Sequence, residues 1–105
     1  MTVKTTQFDA AEYLNNVERQ AAYLTAALEM GDLSFVRDAL GTVARARGMA
    51  DVAKAAKLNR ESLYKALGEA GNPEFDTVLR VIRAMGLTLS ARPTRKPARK
   101  KRRAA

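Results

Sequence analysis

Apolar residues recur at helical spacing along most of the chain, in segments separated by glycine, asparagine and proline. The first segment covers residues 9–30, where Asp9 and Glu12 have the spacing of a capping box. The pair Asn15-Asn16 is expected to divide this segment into a short helix and a longer one. Gly31 is expected to end it, because glycine adopts the left-handed conformation of a helix C-terminus without steric cost.

A second apolar stripe covers residues 33–47, and Asp32 stands where its N-cap is needed. Further along, Asn72-Pro73 predicts the start of the last helix, with asparagine as the cap and proline at the first helical position. Its apolar face covers residues 75–85. Residues 87–91 alternate between apolar and polar side chains, which permits one short strand. The pattern predicts an all-α domain of five or six helices with at most one C-terminal strand.

Residues 50–67 are predicted to form two short helices separated by only three residues, 57–59. Small and apolar side chains share one face of each helix: Val52, Ala53 and Ala56 in the first, and Leu63, Ala66 and Leu67 in the second. A tight corner that presents a polar second helix to solvent is the helix-turn-helix plan of DNA-binding domains. The sequence therefore predicts a DNA-binding function.

The polar face of the second helix carries side chains that can contact bases. Arg60 can donate two hydrogen bonds to guanine, and Glu61 can accept one from cytosine. The predicted DNA-binding residues are Asn59, Arg60, Glu61, Ser62, Tyr64 and Lys65, and the weaker candidates for phosphate contacts are Arg45, Arg47, Lys54 and Lys57. The alternative is an ordinary solvated helix face. Tyr64 fits two positions, one facing DNA and one half-buried against Phe75.

Charge is distributed unevenly along the chain, whose net charge is +8. Of the 19 basic residues, eight lie in residues 92–105, which contain no acid, so residues 1–91 are formally neutral. Within those, residues 1–44 have a balance of −3 and residues 45–91 a balance of +3. The basic excess of the folded body therefore surrounds the helical corner, where phosphates would need to be neutralised.

Both ends of the chain are predicted to lie outside the helical domain of residues 8–91. Residues 1–7 are expected to form a mobile arm, and the proline-containing basic residues 92–105 a disordered tail. Non-specific contacts with DNA phosphates are expected from Arg99, Lys100, Lys101, Arg102 and Arg103. A tail that only improves solubility, or that has lost an earlier function, is the alternative.

Several functional classes are excluded by composition. The chain has no cysteine and no histidine, so disulfides, thiolate metal sites and the commonest general acid–base are missing. No catalytic residues, metal or cofactor are expected, and the chain is not expected to be an enzyme. No apolar run approaches the roughly 18 residues that span a bilayer, and no signal peptide is visible. A soluble cytoplasmic protein is expected.

The sequence also resembles a known family, the addiction-module antidote proteins, which are HigA-like antitoxins of type II toxin–antitoxin modules. The resemblance covers about residues 8–92 and is carried by residues 8–14, 22–29, 39–49, 60–67 and 71–79. It implies a phage-repressor-like (Cro-like) helix-turn-helix domain and a RelE- or ParE-type toxin encoded nearby. Such an antitoxin neutralises the toxin by binding it and represses their shared operon by binding its operator, in a bacterial cytoplasm and on the nucleoid.

Two features of the chain are departures. Many helix-turn-helix proteins have a glycine in the corner, and the family pattern does not include a long basic tail. Lys57 occupies the glycine position, so it must be strained or adopt another turn. The basic tail is the second departure. A homodimer is expected, because one short helix contacts few base pairs. A stand-alone repressor and a helical adaptor without DNA binding are the alternatives.

The acidic first half is a candidate toxin-binding surface, since it would complement a basic toxin that grips RNA. Its acidic residues are Asp9, Glu12, Glu18, Glu29, Asp32 and Asp38. The alternative is that residues 8–30 only pack over the DNA-binding core or form the dimer.

Overall fold

The computed structural model describes residues 10–94 of the chain. A short 3-10 helix, Ala10–Tyr13, precedes five α-helices: α1 Val17–Met30, α2 Leu33–Arg47, α3 Met49–Ala56, α4 Arg60–Leu67 and α5 Phe75–Ala84. Within residues 10–94 there is no strand, and residues 87–94 follow α5 without regular secondary structure. The all-helical prediction is confirmed. The short strand that the sequence permits over residues 87–91 is absent from the described chain, which contains no strand that could pair with it.

The first two helix boundaries follow the chemistry that the sequence indicates. The Asn16 side chain accepts a hydrogen bond from the Arg19 backbone N–H at 2.8 Å, so α1 begins after the predicted break. Gly31 ends α1 in the left-handed conformation, with φ at 72°. Asp32 then caps α2 by accepting from the Ser34 N–H at 2.9 Å. The cap predicted at Asp9 lies outside the described residues.

The start of α5 differs from the prediction. The helix begins at Phe75 and its N-cap residue is Glu74, so the assignment of Asn72 and Pro73 to these positions is wrong. The preceding loop is drawn back against α4 and α2, since the Gly71 carbonyl accepts a hydrogen bond from Arg37 Nη1 at 3.1 Å. Residues 72–74 connect this bound position to the first residue of α5, which lies two residues later than predicted.

Helix α2 lies at the centre of the domain, where it contacts the 3-10 helix, α1, α3 and α4, while α5 packs on α3. The largest fully buried side chains come from α2, α3, α4, α5 and the residue after α5: Leu40, Val43, Val52, Leu63, Val81, Ile82 and Met85. Burial of such side chains contributes roughly 1.5–3 kcal/mol each. Helices α3 and α4, which form the predicted corner, therefore contribute side chains to the main hydrophobic core.

One buried polar side chain joins the N-terminal elements to the end of α2. Gln20 on α1 is 4% exposed, and its Nε2 donates to the Leu14 carbonyl at 2.9 Å. Its Oε1 accepts from Arg47 Nη1 at 3.3 Å. Both ends of the amide are thus satisfied, as a buried polar group requires.

Candidate nucleic-acid interface

The corner between α3 and α4 turns at Lys57, which has φ 61° and ψ 43°. It is the one residue other than glycine with a positive φ in the described part of the chain. The Lys57 N–H donates to the Lys54 carbonyl at 3.1 Å, and the Leu58 N–H donates to the Ala53 carbonyl at 2.9 Å. This pair of bonds is the Schellman motif, in which glycine is the usual left-handed residue. The sequence predicts either a strained Lys57 or another kind of turn, and the structure has the strained left-handed lysine.

Replacing Lys57 by glycine is expected to raise the free energy of unfolding by about 1 kcal/mol. The left-handed conformation costs an L-residue roughly 1–2 kcal/mol, and the greater flexibility of glycine in the unfolded chain offsets part of the gain. Urea denaturation would measure the difference. Lys57→Ala is the matched control, because it removes the same charge but keeps the β-carbon. Equal stability of the two variants would show that the backbone at Lys57 carries no strain.

The residues after Lys57 set the position of α4. Leu58 is half-buried and packs against the core, so it fills the corner. Asn59 is extended, and its Oδ1 accepts a hydrogen bond from the Ser62 backbone N–H at 2.7 Å. The predicted cap is therefore confirmed, and this oxygen of Asn59 is used within the chain.

Two faces of α4 differ sharply in burial. Leu63 and Leu67 are buried, whereas the candidate DNA-binding residues of the helix are all exposed: Arg60, Glu61, Ser62, Tyr64 and Lys65. Eight residues make a helix of about 12 Å, which matches the width of the major groove. The structure thus brings five of the predicted side chains together on the solvent side of one short helix.

Tyr64 is 49% exposed and Phe75 is 66% exposed, so about half of the Tyr64 side chain is accessible to a ligand. The guanidinium carbon of Arg60 lies 5.7 Å from the centroid of the Tyr64 ring. A cation–π contact of this kind contributes about 0.5–1 kcal/mol at an exposed site. It restricts the orientations of Arg60 before any ligand is bound.

The charged groups of the corner are all at the surface. Within residues 49–67 there are four basic and two acidic side chains, and every one of them is exposed. Two of the four basic residues, Lys54 and Lys57, are not among the candidates for contact with bases. Arg45 is exposed on α2 as well. This local excess of positive charge would attract phosphates at low ionic strength.

The other predicted phosphate contacts have different surroundings. Arg47 is exposed, but one nitrogen of its guanidinium donates to Gln20, as described above. This contact gives Arg47 a role in packing α1 on α2. The tail candidates at residues 99–103 lie outside the described residues. Arg92, at the start of the predicted tail, forms an ion pair with Glu29 on α1.

Arg80 is a residue of this site that sequence reasoning missed. It lies on α5, and its Nη2 donates to the Lys57 carbonyl at 3.3 Å. Its Nη1 lies 3.7 Å from Asp76 Oδ2, four residues earlier on the same helix. The spacing of Asp76 and Arg80 is visible in the sequence. The contact with the corner is not, because it joins a side chain to a backbone carbonyl 23 residues away.

The N-terminal part of the chain also exposes apolar side chains. Six of the eight exposed large hydrophobic residues of the described chain belong to residues 13–35, and we call them the N-terminal surface: Tyr13, Val17, Leu28, Met30, Leu33 and Phe35. The acidic residues Glu12, Glu18 and Asp38 are exposed in the same part of the chain. This part of the chain has two arginines, and both bind backbone carbonyls. Arg19 donates to the Tyr13 carbonyl at 3.3 Å, and Arg37 donates to the Gly71 carbonyl. Apolar and acidic groups therefore dominate this surface.

A groove of about 1000 Å³ lies between α1 and the segment that follows α5. Leu24 and Leu28 line it on one side, Leu87 and Leu89 on the other, and Ile82 lies between them. No helix among residues 10–94 is long and apolar enough to cross a membrane.

Comparison with known proteins gives two matches over most of the chain. Residues 4–93 match a family described as "Probable addiction module antidote protein". An uncharacterized protein of Haemophilus influenzae is 40% identical over 95 residues, which cover 90% of this chain and 98% of that protein. No solved structure matches the chain.

Proposed function

Since the chain belongs to the addiction-module antidote family, we propose that it is the antitoxin of a type II toxin–antitoxin module. In this proposal it acts by binding alone, without catalysis. It neutralises a RelE- or ParE-like toxin by direct contact, and it represses the operon that encodes both proteins by binding the operator. Both activities would take place in the bacterial cytoplasm.

The observation that carries the DNA-binding half is the division of α4 into a buried face and an exposed polar face. Leu63 and Leu67 fix the helix to the core, and Asn59 caps its N-terminus. The exposed residues then meet base edges, with Arg60 donating to guanine and Glu61 accepting from cytosine. We propose a helix-turn-helix domain of the Cro-like type, in which α4 is the recognition helix and α3 lies across the DNA backbone.

A homodimer follows from the size of this helix. One helix of about 12 Å contacts only a few base pairs, which gives little discrimination against the rest of a genome. Two copies related by a two-fold axis would place their recognition helices in successive major grooves, about 34 Å apart. The operator of this proposal is therefore an inverted repeat.

Co-expression with the product of the neighbouring open reading frame tests the proposal as a whole. If that product stops growth, co-expression of the antitoxin is expected to restore it, and the two proteins are expected to co-purify. DNA binding without rescue or co-purification would leave a stand-alone repressor. Loss of both DNA binding and rescue would leave a helical adaptor and would contradict the proposal.

The N-terminal surface is the proposed contact for the toxin. Apolar groups supply the area that a stable interface buries, and acidic groups around them favour a basic partner, such as a protein that acts on RNA. The positively charged corner between α3 and α4 would repel such a partner. The toxin and the operator would thus bind at different surfaces of one molecule.

Reversing the charge of Glu12 and Glu18 to lysine is expected to weaken toxin binding about 10-fold, chiefly by slowing association, because charges near an interface steer the encounter. Surface plasmon resonance with the purified toxin would measure the rate constants. Glu69→Lys with Glu74→Lys is the matched control, since both residues are exposed and lie outside the N-terminal surface. An unchanged association rate in the Glu12 and Glu18 variant would contradict the electrostatic contribution.

A further inference from the structure

The guanidinium of Arg80 connects α5 to the turn of the helix-turn-helix. One nitrogen donates to the carbonyl of Lys57 at 3.3 Å, and another pairs with Asp76 at 3.7 Å. The side chain is 40% exposed, so it is neither a core residue nor a freely solvated one. The carbonyl it binds belongs to the one strained non-glycine residue of residues 10–94.

This contact meets three needs of the turn at once. Lys57 follows the last residue of α3, so its carbonyl has no partner within that helix, and Arg80 supplies a donor to it. A cation is also favourable at the negative end of the α3 dipole. Finally, a charge-assisted hydrogen bond stabilises a backbone by an amount comparable to the cost of a left-handed lysine. The bond therefore adds to the two backbone hydrogen bonds of the turn in favouring the left-handed conformation of Lys57.

The conformation of Lys57 determines where α4 points. Only Leu58 and Asn59 separate this residue from the first residue of α4. A rotation of about 10° at the turn would move the far end of a helix of about 12 Å by about 2 Å. Hydrogen bonds to base edges tolerate a few tenths of an ångström. A small relaxation of the turn would thus misplace Lys65 more than Arg60.

We propose that Arg80 is a positioning residue for DNA recognition, which holds the recognition helix α4 in its DNA-reading orientation through the Lys57 carbonyl. The proposal rests on the DNA-binding function proposed above. It assigns to α5 a role in base recognition without any contact between Arg80 and a base or phosphate.

The test measures binding to a duplex that the wild-type protein selects from a random pool, at a temperature where circular dichroism shows every variant folded. Arg80→Ala is expected to weaken binding about 10-fold. In the Lys57→Gly background the same change is expected to weaken binding less than 3-fold, because glycine keeps the left-handed turn without help. Arg83→Ala, an exposed arginine of the same helix, is the matched control for loss of charge and is expected to change binding less than 2-fold.

Salt dependence separates positioning from direct phosphate contact. The slope of log affinity against log salt is expected to be the same for Arg80→Ala and wild type, whereas loss of one phosphate contact from each protomer of the proposed dimer lowers its magnitude by about two. A lower slope, or an equal loss of affinity in both Lys57 backgrounds, would overturn the proposal.

Amide hydrogen exchange gives a readout that does not need DNA. Arg80→Ala is expected to accelerate exchange at the Leu58 N–H, whose bond to Ala53 closes the turn, at least 5-fold more than at the Leu63 N–H. Equal acceleration at the Leu58 and Leu63 N–H groups, or none at either, would show that Arg80 does not hold the turn and would overturn the proposal. If the wild-type protein selects no DNA sequence, the proposed function itself fails, and the exchange result shows separately whether Arg80 fixes the turn.

Discussion

Replacement of Arg60 and Lys65 by alanine is expected to weaken operator binding at least 100-fold without unfolding the domain. Both side chains are exposed on α4, and neither contributes to the core. A bidentate contact to a base gives about 1–3 kcal/mol of discrimination, and a dimer loses each contact twice. Loss of the Arg60–Tyr64 contact costs at most about 1 kcal/mol of stability. Function and stability are therefore expected to separate cleanly in this variant.

Fluorescence anisotropy with the selected duplex measures the affinity, and thermal unfolding measures the stability. The matched control is Arg83→Ala with Arg92→Ala, which removes the same charge from exposed positions outside the corner. That control is expected to bind within about 5-fold of wild type, since it removes long-range attraction and one exposed ion pair, that of Arg92 with Glu29. If the Arg60 and Lys65 variant binds the duplex as tightly as wild type, α4 is not the recognition helix.

Replacement of Gly71 by alanine is expected to lower the free energy of unfolding by about 3 kcal/mol. A β-carbon at this position would lie 2.5 Å from the Lys65 carbonyl oxygen and closer still to that of Ala66. Both oxygens belong to the backbone of α4, so no side-chain rotation relieves the overlap. Overpacking of this kind typically costs about 1–3 kcal/mol, and displacement of the loop would also weaken the bond between Arg37 and the Gly71 carbonyl.

Gly41→Ala provides the comparison in the same protein. An added β-carbon there would meet the Leu67 carbonyl oxygen at 3.6 Å, an ordinary contact, and the position lies inside α2. Alanine in a helix interior is more stable than glycine by about 0.5–1 kcal/mol, so this variant is expected to be slightly more stable than wild type. Urea denaturation of both variants tests the pair. A Gly71 variant that unfolds at the wild-type urea concentration would show that the loop can move away from α4 at no cost.

The sequence was sufficient for most helices because their boundaries depend on neighbouring residues. Asn16, Asp32 and Asn59 each cap a helix by accepting from an N–H two or three residues later. Gly31 ends a helix through its own conformational freedom. The apolar spacing then shows which face of each helix is buried. These signals are local, so they can be read without knowledge of the fold.

The features that could not be predicted depend on contacts between distant segments. Arg37 binds a backbone carbonyl 34 residues away, and this contact accompanies the displacement of the α5 start from Pro73 to Phe75. Arg80 likewise reaches the turn from another helix. A backbone carbonyl is present at every residue, so the sequence carries no mark of which one an arginine will bind.

In α4, the residues that secure the helix and the residues that face outward are different residues. Asn59, Leu63 and Leu67 cap and anchor it, while Glu61, Ser62 and Lys65 are exposed. Substitutions at exposed helical sites usually change stability by less than about 0.5 kcal/mol. Under the proposed function, new DNA preferences can therefore arise by mutation without a loss of folded protein. Duplicated copies of such a module could diverge in one genome until each regulates only its own promoter.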